Sequence, residues 1–363
     1  MTLLLTGTSM VNASQNPFFV NSYQTPHETL PFDKVKMEHF LPAFEKGFAQ
    51  QDKQIKSITS NQEAPTFKNT LEALEYSGNL LHDVSAVFYT LTGSENTDEL
   101  MALSTKVAAM QTDHSNKLYL NEALFKRIKA VYDQKASLKL NTEQAKLLDE
   151  TYKSFVLNGA ALKGDDRAAY KKLTLKISQL NEAFFQNSLK ATNQYEKIIT
   201  DASLLEGLPE DVIAAARSKA AEKKKEGWLF DLSAPVYSSL MKYLKNRTLR
   251  EEFYRAYLTR ATSGEWNNKS VILELVNARM QLAQLLGYRT YADYALTERM
   301  AKTPQEVYQF LDKLAAAYKP VAKEEEAAIQ GFETGMEGKY TALEPWDWAY
   351  YSEKYKQARF NVS

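Results

Sequence analysis

Four histidines bound the metal chemistry open to this chain: His27, His39, His82 and His114. A helical zinc-hydrolase site needs two histidines at i and i+4, with a glutamate beside the first, so that both rings face one ion from adjacent turns. His27 precedes Glu28, but Thr29-Leu30-Pro31 follows and no second ligand arrives. His82 precedes Asp83, with no histidine four positions on. His39, between Glu38 and Phe40 in a helical pattern, reads as a hydrogen-bonded surface or boundary residue. The absence of cysteine excludes thiolate metal sites, cysteine nucleophiles and disulfides. G-x-S-x-G, G-x-x-x-x-G-K-[ST] and G-x-G-x-x-G are all missing. Carboxylate pairs such as Glu251-Glu252 carry no specific signal among 45 acidic residues. Spacing therefore assigns no catalytic residue and no metal ligand to this chain, and it singles out no substrate contact.

Arg279 is the one charged residue that breaks an apolar pattern. It lies in Ser270–Leu286, where Glu274, Asn277, Gln281 and Gln284 fall within an arc of about 80° at 100° per residue. Aliphatic residues fill most of the rest, so this helix is expected to be buried on most sides, with the chain wrapped around it. A guanidinium there calls for a carboxylate, either from the protein as an ion pair or from a substrate.

The elements around it read as helices. Patterns run over Lys34–Lys56, Thr66–Thr92, Thr97–Leu118, Asn121–Gln134, Thr142–Leu162, Asp165–Tyr195 and Glu210–Glu226. Ser233 caps a helix through Leu244, and Thr248–Thr262 follows. Beyond the central helix come Tyr291–Arg299 and a helix capped by Thr303-Pro304-Gln305-Glu306 that runs to Ala328 or further. Gly331–Gly338 reads as a linker and Trp346–Phe360 as a final amphipathic helix, docked by its aromatic cluster. The helical period lapses at Ile198–Thr200 and Trp228–Leu232, which allows a short antiparallel pair. The 13 glycines and 10 prolines leave long stretches unbroken, and the fold class is all-α, a large multi-helix assembly. Equal numbers of basic and acidic residues, 45 each, give no electrostatic case for nucleic acid or an anionic membrane. The 21 tyrosines and 17 phenylalanines suit a core, and could also line a peptide groove. Met1–Gln15 has a short apolar run followed by small residues. It reads as the remnant of a signal peptide, implying export to the periplasm, with the cytoplasm as the alternative.

Several blocks, in order, resemble one family. They are NPFF at Asn16–Phe19, PFDKVKMEHFLPAFEKG at Pro31–Gly47, PTFKNTLEALEYSGNLL at Pro65–Leu81, LLDETYKSFVLNGAAL at Leu147–Leu162, LNEAFFQNSLKATNQY at Leu180–Tyr195, NRTLREEFYRAYLTRA at Asn246–Ala261, LLGYRTYADYALTERMAKTPQEV at Leu285–Val307 and PWDWAYYSEKYKQARF at Pro345–Phe360. Together they are similar to the bacterial dipeptidyl carboxypeptidases (peptidyl-dipeptidases), in the family that includes oligopeptidase A and thimet oligopeptidase. The resemblance implies a zinc peptidase whose two helical halves flank a deep cleft that takes short unstructured peptides. In such an enzyme zinc polarises the scissile carbonyl and activates water, with a glutamate as general base. The family's zinc ligands, catalytic glutamate and transition-state tyrosine lie in the second half, with H-E-x-x-H well beyond the W-D-W block, and none of these positions matches a residue here. The resemblance thus implies that residues 16–363 are the helical N-terminal half, one wall of the cleft. Alone it should bind no catalytic zinc and cleave nothing. The alternative is a stand-alone helical scaffold that binds peptides without cutting them.

Overall fold

The computed structural model describes residues 16–20, 23–95 and 97–361. Met1–Gln15, on which the export expectation rests, lies outside the described residues. The all-α expectation holds: thirteen α-helices of six residues or more carry the fold among the described residues, with a single pair of short strands. They are α1 (Met37–Ser60), α2 (Asn79–Ser94), α3 (Asp98–Tyr119), α4 (Glu122–Asp133), α5 (Thr142–Leu157), α6 (Asp165–Gln194), α7 (Glu210–Glu222), α8 (Ala234–Tyr243), α9 (Arg247–Leu258), α10 (Lys269–Leu285), α11 (Tyr291–Leu296), α12 (Pro304–Glu337) and α13 (Trp348–Phe360). The strands β1 (Lys197–Ile199) and β2 (Trp228–Phe230) pair antiparallel, Ile198 opposite Leu229, where the helical period lapses.

The described residues fall into two compact units. One comprises those through Glu182 together with Ala278–Tyr288; the other comprises Ala183–Asn277 and those from Arg289 on. In the first unit, Phe40 and Phe44 of α1 pack edge-on against Phe88 of α2 at 5.3 Å between ring centroids. Asn16 secures the chain entering this core: its Nδ2 donates to His39 O and its Oδ1 accepts from Phe18 N–H. A second cluster joins Leu71, Leu124, Ile128, Leu148 and Phe155. The core of the second unit is built on Phe230, Leu240, Leu244 and Phe253.

Three expectations are corrected. The pattern over Thr66–Thr92 is two helical pieces, because Gly78 adopts φ +80 and its N–H donates to Gln54 Oε1 instead of continuing a helix. Before it, Phe67–Glu72 winds as a π-helical segment that runs on into Ala73–Glu75. Gly331–Gly338 is not a linker. α12 runs through Gly331 and Gly335 and stops at Gly338, where φ reaches +70. Gln330 holds that end: its Nε2 donates to Thr341 O and its Oε1 accepts from Leu343 N–H.

The third correction concerns α10. Its bounds agree with the pattern to within a residue, but it is not buried on most sides. Leu275, Ala278, Leu282 and Ala283 are buried, while Ile272, Leu273, Val276 and Met280 are exposed, Leu273 to 67%. One narrow stripe packs; an apolar strip on the rest of the helix faces solvent. α12 behaves alike. Every residue from 316 to 328 is exposed, and so are Tyr308, Phe310 and Leu311.

Candidate functional site

The histidines are dispersed. His39 is buried at the start of α1, where its Nδ1 accepts from Lys36 N–H at 3.0 Å. His27 occupies an exposed turn at φ +58, and His82 is exposed on α2. His114 is buried on α3 against the Phe48 ring, its Nε2 2.6 Å from Gln51 Oε1. Burial lowers its pKa more than nearby Asp52 raises it, so the ring is neutral at pH 7. Among the described residues, no cluster of three or more His, Cys, Asp or Glu side chains is placed to hold a metal ion. The described residues therefore offer no donor set that fits a catalytic zinc. Arg279 is half-buried on α10, and its guanidinium donates to Asn181 Oδ1 at 3.0 Å.

The densest ionic site is in the second unit. Asp347, just before α13, is 1% exposed, and so is Arg250 of α9. Arg250 Nη2 donates to Asp347 Oδ1 at 2.8 Å, Arg247 Nη2 to Oδ2 at 2.6 Å, and Glu344 N–H to Oδ2 at 3.1 Å. The remaining Arg250 donors reach the carbonyls of Leu244, Lys245 and Trp346, and its guanidinium lies 4.2 Å from the Tyr350 ring centroid. Burial pushes the Asp347 carboxyl up, but the hydrogen bonds from Arg247 and Arg250 outweigh it and hold it below the ordinary value. This knot pins the start of α13 onto α9. The aromatic dock expected of the W-D-W block is thus centred on its aspartate, and the arginines at i and i+3 of α9 are its partners.

The first unit holds a trough of about 350 Å³ between α3 and α6. On α3 it is lined at positions 108, 111, 112, 115, 116 and 119, one stripe at alternating three- and four-residue spacing. Tyr170, Thr174, Ile177, Ser178 and Asn181 of α6 form the opposite wall, with Leu282 of α10 and Tyr89 of α2 at the edges. Asn116 and Thr174 bond across it at 2.9 Å, and Ser178 Oγ donates to Ala108 O at 3.5 Å. No lining residue is ionic. Burial first, and the nearby Glu182 carboxylate second, raise the Tyr89 phenol, which stays protonated near neutrality. Sequence reasoning missed this trough. The available signal was the run of small polar and carboxamide residues along stripes where helix packing ordinarily places aliphatics.

Comparison with known proteins decides the ancestry. The model of the Neurolysin/Thimet oligopeptidase N-terminal domain matches residues 39–167, and the model of Peptidase family M3 matches residues 240–363. The chain is homologous to the M3 peptidases. It is 34% identical to dipeptidyl carboxypeptidase of Escherichia coli over 354 residues, covering 96% of this chain and 51% of that protein. It is 33% identical to E. coli oligopeptidase A over 348 residues, covering 94% of this chain and 51% of that protein. Saccharolysin of Saccharomyces cerevisiae is 24% identical over 84% of this chain and 43% of its own length. The chain spans about half the length of these M3 relatives.

Proposed function

We propose that this M3 chain forms a helical, substrate-facing part of a zinc metallopeptidase that removes dipeptides from the C-termini of short peptides. In this reading the metal donors and the catalytic glutamate are supplied outside these 363 residues. The observation that carries it is the similarity to a dipeptidyl carboxypeptidase across 96% of the chain, in a molecule whose described residues include no metal-holding cluster. The exposed apolar strips of α10 and α12 support it as faces suited to cover by the rest of such an enzyme. The work assigned to this chain is to present a rigid helical wall, and its buried Arg250–Asp347 knot keeps part of that wall in place.

The test is to purify the native gene product from its source cell, weigh it intact, and incubate it with an N-blocked decapeptide, with and without a chelator. A mass well above 41.3 kDa and chelator-sensitive release of C-terminal dipeptides are expected. Cleavage only at internal bonds would overturn the dipeptidyl assignment in favour of an endo-acting oligopeptidase. A mass at or slightly below 41.3 kDa without cleavage would favour a stand-alone peptide-binding protein.

A further inference from the structure

The trough between α3 and α6 has a chemistry of its own. We propose that it binds an extended, uncharged stretch of peptide main chain, an inference that rests on the peptidase reading and adds a place where this chain itself grips substrate.

Its length sets the size of the ligand. The stripe from Ala108 to Tyr119 rises about 16 Å at 1.5 Å per residue. An extended peptide advances about 3.3 Å per residue, so roughly five residues fit. Its volume, about 350 Å³, lies within the range of ligand clefts.

Its lining sets the class. With no ionic lining residue, a charged group entering the trough loses hydration, and the charges just behind the lining, Arg279 at Asn181 and Glu182 near Tyr89, are opposite in sign and select for neither charge. A neutral ligand rich in donors and acceptors suffers no such penalty. Four carboxamides face the space, Gln111, Asn116, Asn158 and Asn181, and each both donates and accepts, as a peptide group does. Gln111 accepts from the Tyr89 hydroxyl and donates to Ser85 Oγ, which leaves one donor and one lone pair for a ligand. Asn181 stands exposed at one end, and its Oδ1 is aligned by Arg279. Main-chain recognition of this kind is independent of side-chain sequence, which suits a protein related to oligopeptidases. Neutral oligosaccharide shares the hydrogen-bonding character; the four carboxamides and the peptide-acting relatives favour peptide.

The test uses the full chain and a fluorescein-labelled, end-blocked Ala-Gly octapeptide, followed by anisotropy. Saturable binding is expected. It should weaken at least tenfold when alternate amides of the peptide are N-methylated, a change that leaves the protein untouched. Asn181→Leu, at an exposed position, should weaken it about tenfold, and Ser178→Trp should abolish it by filling the trough. Absence of binding, indifference to N-methylation, or full affinity in both variants overturns the proposal. Displacement by maltopentaose at concentrations that an unlabelled peptide needs would overturn it in favour of a sugar site. Failure here is separable from failure of the peptidase reading. If the native protein releases dipeptides but Asn181→Leu leaves KM unchanged, the trough is wrong and the peptidase reading stands. Trough binding without cleavage by the native protein would mean the reverse.

Discussion

Replacing Asp347 with asparagine tests what holds the second unit together. The substitution keeps the shape of the side chain and removes its charge. Arg247 is 42% exposed and regains hydration, so its loss is modest, about 1 kcal/mol or less. Arg250 is 1% exposed and has no such recourse. Its contacts with three carbonyls and the Tyr350 face remain, but its charge is left uncompensated. Removing one partner of a buried pair costs about 3–5 kcal/mol. For a unit of 150–250 residues each kcal/mol moves Tm by roughly 2–4 °C, so Asp347→Asn should lower the melting temperature by about 10 °C. Arg247→Ala should lower it by only a few degrees. The assay is calorimetric melting at pH 7, repeated at falling pH. Because the folded pKa of Asp347 is depressed, its contribution is complete above the unfolded value near 3.8 and is lost as pH falls through the folded value. Wild type should therefore lose its advantage over the variant as the solution is acidified below about pH 4. A variant melting within 1 °C of wild type at pH 7, or a gap unchanged at low pH, would refute this reasoning.

Three further outcomes are expected. Gly207→Ala should destabilise by about 2 kcal/mol or more, read by urea unfolding, because φ is +95 and the added methyl would press on the Tyr243 carbonyl. Glu196 bonds to Lys223 and Lys225, which bring its pKa down to about 2. Carbon-detected NMR titration should find it there, and Lys223→Ala with Lys225→Ala should return it toward 4.5; its stabilisation is complete above the unfolded value and is lost as pH falls toward 2. His114 should titrate below 6.5 by NMR. Since its folded pKa is lowered, the unfolded chain takes up the proton first, and stability declines as pH drops below 6.5.

Local signals were legible and long-range coverage was not. Thr303-Pro304 marked the start of α12, and the lapse in period the β1–β2 pair, because each is written in adjacent residues. The bounds of α10 followed from its pattern too, yet its burial did not. Hydrophobicity records that Leu273 and Val276 favour cover, but not whether the described chain supplies it. Gly78 and Gly331 look equivalent in sequence. One breaks a helix because Gln54 takes its N–H; the other continues a helix in which the neighbouring Gln330 bonds Thr341 and Leu343 of the chain that follows its end. For the W-D-W block, the aromatic character suggested a dock, but the partners of Asp347 lie about 100 positions away in sequence, beyond the reach of a local pattern. The trough was out of reach of any local pattern, since it needed α3 and α6 placed side by side.

We propose that this chain grips peptide and by itself neither holds a catalytic zinc nor cleaves. The most direct measurement is made on pure chain 1–363: tightly bound metal by elemental analysis after equilibration with zinc, and dipeptide release from the same sample. The expected result is no stoichiometric zinc and no release. One zinc per chain with chelator-sensitive release of C-terminal dipeptides would contradict it.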